Sequence, residues 1–292
     1  MHISFHLGAH CTDDDLLVKS LLKNKGRLAE EGVIVPGPGR YRKLLSDVVP
    51  KLAGQPANRD TQDMLLDAML DVDEADRLIL SHDNFLGGPK KALEGGALYP
   101  MAARNTQWLR NLFPDNPVEF FIGLRDPASF VPELWTRLSN TMELTEFLSR
   151  FRPHALYWSD VIHAIREANP DCPVTVWCNE DTPLIWKELL HEITGLDPSV
   201  ALKGGLDVMS RITAQEGMKR LRAYMKTHPA QTEIQRRRIL SAFLDKFALD
   251  DEIEEEVDLP GWSADLVAEM TEACDDDMLE VKRLHGVTLL TA

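Results

Sequence analysis

The chain of 292 residues has only four cysteines, Cys11, Cys172, Cys178 and Cys274. They are scattered, with no C-x-x-C and no histidine at zinc-finger spacing, so neither a disulfide framework nor a structural metal site is indicated. Nowhere does an uncharged apolar run approach the roughly 20 residues that a membrane-spanning helix requires. The opening stretch Met1-His2-Ile3-Ser4-Phe5-His6-Leu7-Gly8 has no basic n-region, so it reads as a strand and not as a signal peptide. Positive charge is in short supply: 32 Lys and Arg stand against 47 Asp and Glu, a formal net charge of −15. That balance opposes nonspecific contact with nucleic acid or an anionic membrane. The NTPase loop G-x-x-x-x-G-K-[ST] is absent, and Gly8 lacks the G-x-G-x-x-G company of a dinucleotide site. The expectation is a soluble, cytoplasmic protein with reduced thiols.

Hydrophobic residues at 44% and charged residues at 27% are ordinary for a globular protein. An apolar run at residues 3–7 leads into a turn at Gly8, then Leu17, Leu21 and Leu28 recur at helical spacing. Gly32 is a helix stop, and Val33-Ile34-Val35-Pro36 reads as a second strand. Further apolar runs at residues 78–80, 118–124 and 174–178 each precede a helical stretch. This alternation predicts an α/β fold, a parallel β-sheet flanked by helices. Asp126-Pro127 and Thr182-Pro183 mark helix starts. From about residue 201 the strand signal fades, and residues 213–228, 233–247 and 263–284 read as helices joined by an acidic connector at 250–258. Residues 1–292 are expected to form one domain, with the helical part 201–292 packed on the sheet. Gly37-Pro38-Gly39-Arg40-Tyr41-Arg42-Lys43 reads as a basic turn-rich loop, and Arg236-Arg237-Arg238 as helical residues paired with acidic neighbours.

The segment His6-Leu7-Gly8-Ala9-His10-Cys11-Thr12-Asp13-Asp14-Asp15 occupies the place, between first strand and first helix, where sulfotransferases carry G-x-x-K-[ST]-G-T-T. Phe120-Phe121-Ile122-Gly123-Leu124-Arg125-Asp126-Pro127 is similar to that family's strand ending in L-R-[DN]-P, and Leu78-Ile79-Leu80-Ser81-His82-Asp83 to the strand that supplies its base. The tail with Pro260-Gly261-Trp262, Asp275-Asp276-Asp277 and Leu284-His285-Gly286-Val287 also resembles bacterial sulfotransferase-like proteins. The resemblance implies a P-loop-type sulfotransferase fold and transfer of a sulfonate group from 3′-phosphoadenosine 5′-phosphosulfate (PAPS) to the hydroxyl of a small-molecule acceptor. It implies that Gly8, Ala9, His10, Cys11 and Thr12 hold the donor's 5′-phosphosulfate, that Arg125 holds its 3′-phosphate, and that His82 or Asp83 is the catalytic base.

The loop departs from the family's pattern. Cys11 stands at the lysine position, Asp13 to Asp15 replace the glycine and threonines, and Glu133 stands where the family has a serine near the 3′-phosphate. Helix amides favour an anion by about 0.3 to 1 kcal/mol, whereas like charges about 4 Å apart repel by about 1 to 4 kcal/mol, so repulsion is expected to win. The lost lysine removes a further 1.5 to 3 kcal/mol, roughly. Asp13 to Asp15 read as acidic capping of a helix start, or as carboxylates bridged to a phosphate by a divalent cation; no metal site is expected from them alone. The two functional readings are a PAPS-dependent transferase and a noncatalytic descendant, a pseudoenzyme that binds another small ligand or a protein.

Overall fold

The computed structural model describes residues 1–72, 74–249 and 259–292. The connector expected at 250–258 lies outside the described residues.

Six strands, β1 (His2–His6), β2 (Val33–Ile34), β3 (Arg77–Ser81), β4 (Val118–Leu124), β5 (Val174–Cys178) and β6 (Val287–Leu290), form one sheet in the order β2-β3-β1-β4-β5-β6. Every pairing is parallel. Parallel sheets are covered on both faces, and the near-continuous apolar run Phe120-Phe121-Ile122 meets that requirement. Side chains alternate between faces with a period of two. Phe5, Phe120 and Val176 point into one layer, and Phe121 and Trp177 into the other.

The first layer is built from α3 (Pro38–Leu52), α4 (Arg59–Met69), α5 (Ala102–Arg110), α6 (Pro127–Leu138), α7 (Leu144–Leu148), α8 (Trp158–Ala168) and α13 (Ala264–Arg283). The opposite face carries α1 (Leu16–Leu22), α2 (Lys25–Glu30) and α9 (Thr182–Thr194). Outside α9 stands a helical unit of α10 (Asp207–Ile212), α11 (Gln215–Thr227) and α12 (Glu233–Phe247), with a small core of Met209, Met218, Leu221 and Leu240. No described helix is long and apolar enough to cross a membrane.

Three local expectations are corrected. The periodic stretch after Gly8 is two helices, because buried Asn24 breaks it: its amide donates to the Ser20 and Lys203 carbonyls at 2.9 Å each, and its oxygen accepts from Lys203 N at 2.7 Å. Residues 37–43 are not a loop but the start of α3, where Pro38 suits the first helical position. The helix is anchored by Tyr41, whose hydroxyl donates to Ser81 O at 2.6 Å and accepts from Ser81 N at 2.9 Å. Strands do not end with β5, since Val287–Leu290 adds an edge strand in register with Val174 to Trp177. Four residues are too few to show a period.

Candidate functional site

Strand β1 lies between β3 and β4, with His6 opposite both Ser81 and Phe121. The loops that leave the carboxyl ends of these three strands therefore adjoin, the location where open α/β sheets bind ligands. They carry Gly8 to Asp15, His82 with Asp83, and Arg125. Gly8 has φ +96°, and a Cβ there would lie 3.1 Å from the Asp83 Cα, so only glycine permits this approach.

Past Gly8 the chain stays on the sheet. Leu7 N donates to Phe121 O at 2.8 Å, Ala9 N to Gly123 O at 3.0 Å, and Gly123 N to Gly8 O at 2.6 Å. The next amide, His10 N, donates to the Tyr99 hydroxyl at 2.9 Å. That hydroxyl lies 2.8 Å from His10 Nδ1, and His10 Nε2 lies 3.0 Å from Asn84 Oδ1. One arrangement satisfies every group: Tyr99 donates to Nδ1 and the Nε2–H donates to Asn84. Burial lowers the His10 pKa, which keeps the ring in that neutral form. Thr12 Oγ1 donates to Ala9 O at 2.7 Å. Arg125 donates through Nη1 to the Cys11 carbonyl and through Nε to Ser129 Oγ at 3.0 Å. Cys11 is only 2% exposed, and burial pushes its thiol up to about 12, so it is no nucleophile at neutral pH.

The three loop carboxylates do not converge on one phosphate position. Positive φ at Asp14 (50°) and Asp15 (64°) turns them apart. Asp13 Oδ2 accepts from Leu17 N at 2.8 Å at the first turn of α1. Asp14 pairs with Arg137 Nη2 at 2.6 Å, and Asp15 accepts both Arg42 nitrogens at 3.0 and 2.5 Å. The hydrogen bond from Arg42 holds the Asp15 carboxyl below its ordinary range. Glu133, expected opposite a phosphate, instead faces Arg137 Nε at 3.5 Å. Arg42, Arg137, Tyr99, Asn84 and Ser129 belong to this site although sequence reasoning did not single them out as partners of the loop. Only the spacing of Arg137 four positions after Glu133 on one helix signalled a pair. Among the described residues no group of three His, Cys, Asp or Glu is arranged to hold a metal.

His82 and Asp83 follow β3 and begin a 3-10 turn (Asp83–Leu86). The Nδ1–Oδ1 distance is 3.1 Å. Burial alone would raise the Asp83 pKa, but the His82 hydrogen bond and the nearby Arg42 charge help bring it down to about 2. An ionised carboxylate only accepts, so Nδ1 carries the proton and Nε2 is left basic. The competing contact from Asn84 N, at 3.5 Å, is too long to reverse this assignment. The His82 ring lines a cavity of about 250 Å³ with Arg42, Asn84, Phe85, Arg104 and Trp108. Arg104 stacks over Trp108, its Cζ 5.0 Å from the ring centroid, and has no carboxylate partner among the described residues.

These contacts do not fit a bound phosphosulfate. Two loop amides are spent on Gly123 and Tyr99, the lysine position holds a buried thiol, and Arg125 grips the loop's own carbonyl. No family model, no curated protein and no solved structure matches the chain.

Proposed function

We propose that the chain is a noncatalytic protein on a sulfotransferase-like, P-loop-type scaffold, and that it binds a small amphipathic anion in the cavity beside His82. The scaffold reading is supported by the adjacency of the three loops that the resemblance pairs, at the ends of β1, β3 and β4. The observation that carries the noncatalytic reading is the internal bonding of Ala9 N, His10 N and Arg125, which closes the loop on itself. Opening it to a phosphate would forfeit several hydrogen bonds at about 0.5 to 1.5 kcal/mol each, with no lysine to offset the loss.

The cavity recommends the ligand class. Phe85, Trp108, Leu45 and Val49 supply an apolar wall, and the Arg104 guanidinium supplies a charge for a carboxylate. Its volume lies below the roughly 300 to 1,000 Å³ of drug-sized pockets, so the ligand is small.

A second reading, donor-dependent transfer, is favoured by the His82–Asp83 pair, whose basic Nε2 suits a general base. Thermal-shift titrations separate the two. Adenosine 3′,5′-bisphosphate, with and without magnesium, is expected to leave the melting temperature unchanged. Stabilisation that disappears in Arg125→Ala would overturn the noncatalytic reading. A small aromatic carboxylate such as 4-hydroxybenzoate, at a hundredfold excess over Kd, is expected to stabilise by about 2.7 kcal/mol, a rise of roughly 4 °C. Arg104→Ala should remove that rise.

A further inference from the structure

Charge is distributed unevenly along this acidic chain. Between residues 207 and 249, which hold α10 to α12, nine Lys and Arg stand against four Asp and Glu, an excess of five positive charges within a chain of net −15. The remainder of the chain is therefore at −20.

The positive charge has a defined placement. Lys219, Arg222 and Lys226 lie at i, i+3 and i+7 on α11, a spacing that puts them on one side of a helix. All three are exposed, and the buried side of the same helix is Gly217, Met218 and Leu221. Among the described residues their only polar partner is Ser210 Oγ, 3.3 Å from Arg222 Nη2, and no carboxylate pairs with them. The neighbouring pair Arg220–Glu216, at 2.9 Å, sits on the adjacent side.

Helix α13 carries the complementary pattern. Glu269, Glu272 and Asp276 recur at the same i, i+3, i+7 spacing, extended by Asp265, and all are exposed. Among the described residues their only ionic contact is His154 with Glu269 at 3.9 Å. Leu279, 54% exposed, continues this stripe. The basic helix belongs to the layer outside α9 and the acidic helix to the opposite face of the sheet. One chain cannot bring its own two stripes together.

We propose that the α11 surface docks on α13 of a second copy of this chain, with Lys219, Arg222 and Lys226 against Glu269, Glu272 and Asp276. The two stripes are opposite in sign and match in spacing and length, so two helices laid side by side align all three pairs. Because the surfaces differ and lie on opposite faces, the contact is heterologous: each copy offers one basic and one acidic surface, and assembly continues beyond a dimer unless it closes as a ring. Exposed ion pairs are individually weak and screened by salt, so the association is reversible and dependent on ionic strength. It is independent of the ligand reading at the His82 cavity.

Sedimentation velocity on the full chain tests this. At low ionic strength the weight-average sedimentation coefficient should rise with protein concentration, and at high ionic strength it should fall to the monomer value. The triple variant Lys219→Glu/Arg222→Glu/Lys226→Glu should be monomeric alone, and so should Glu269→Lys/Glu272→Lys/Asp276→Lys. An equimolar mixture of the two should associate, because each then meets opposite charge on the other. A wild-type chain that stays monomeric at low salt, a triple variant that still associates, or a mixture that does not, overturns the proposal. So does binding to phosphatidylserine vesicles that the α11 variant abolishes without any self-association, an outcome that would assign the surface to a membrane.

Discussion

Four histidines, His2, His6, His10 and His191, are shifted below the ordinary value of 6.5, each chiefly by burial. His6 is the clearest case: it is 1% exposed, its Nδ1 lies 2.9 Å from Ser81 Oγ, and its ring stacks on Trp177. In the folded chain these rings resist a proton that the unfolded chain accepts, so below pH 6.5 the unfolded state binds more protons and stability falls. The carboxylates act in a lower window. Asp83, held near 2, and Asp15, held below 3.8, contribute stability that is lost only as pH drops through the acid range. Urea unfolding should therefore show the midpoint declining already between pH 6.5 and 5, before the Asp83 and Asp15 carboxylates titrate. A flat midpoint across that interval would mean that the histidines are solvated.

At the scale of elements, α13 holds the corner that carries Arg125. Asp277, buried on that helix, accepts from Trp158 N at 2.6 Å and Ser159 N at 3.1 Å, capping α8 from another element. Trp158 in turn donates its indole N–H to Arg125 O at 2.8 Å, and Thr271 donates to the Asp126 carboxylate at 2.5 Å. Asp126 meanwhile caps its own helix through Ala128 N at 2.8 Å. Asp277→Ala would leave buried N–H groups without an acceptor, a loss of about 2 kcal/mol, whereas Asp277→Asn keeps an acceptor and should cost less than about 1 kcal/mol. Both are read from the urea midpoint at constant m value. Equal losses would show that packing and not capping holds the corner.

For the whole molecule, the parallel sheet has two edges, one formed by the two-residue β2 and the other by β6. Removing residues 285–292 would strip β6 from β5 and expose the unpaired edge of Val174–Cys178, a strand rich in β-branched and aromatic residues. Such edges template intermolecular pairing. The shortened chain is expected to aggregate on warming at a lower temperature than the full chain, as light scattering would record. Unchanged scattering would show that β6 does not protect that edge.

The strand runs at 3–7, 78–80, 118–124 and 174–178, and the helix start at Asp126-Pro127, were legible because apolar periodicity and cap chemistry are local properties. So was the pairing of Arg236 with Glu233, three positions before it on α12, at 3.7 Å, whereas Arg237 pairs with Glu188 on α9, 49 positions away. By themselves these residues determined an alternating α/β chain with Gly8, His82 and Arg125 in loops after strands. Only the tertiary structure decided what those loops face. Sequence spacing suggested three carboxylates crowding one anion, whereas Arg42 and Arg137 arrive from distant helices to neutralise two of them. Tyr99, far along the chain, takes the His10 amide, and Asn24 meets Lys203 to break a helix that periodicity alone would continue. Hydrogen bonds and ion pairs between residues far apart in sequence leave no trace in local pattern, because their energy depends on where the fold brings the partners and not on their spacing along the chain.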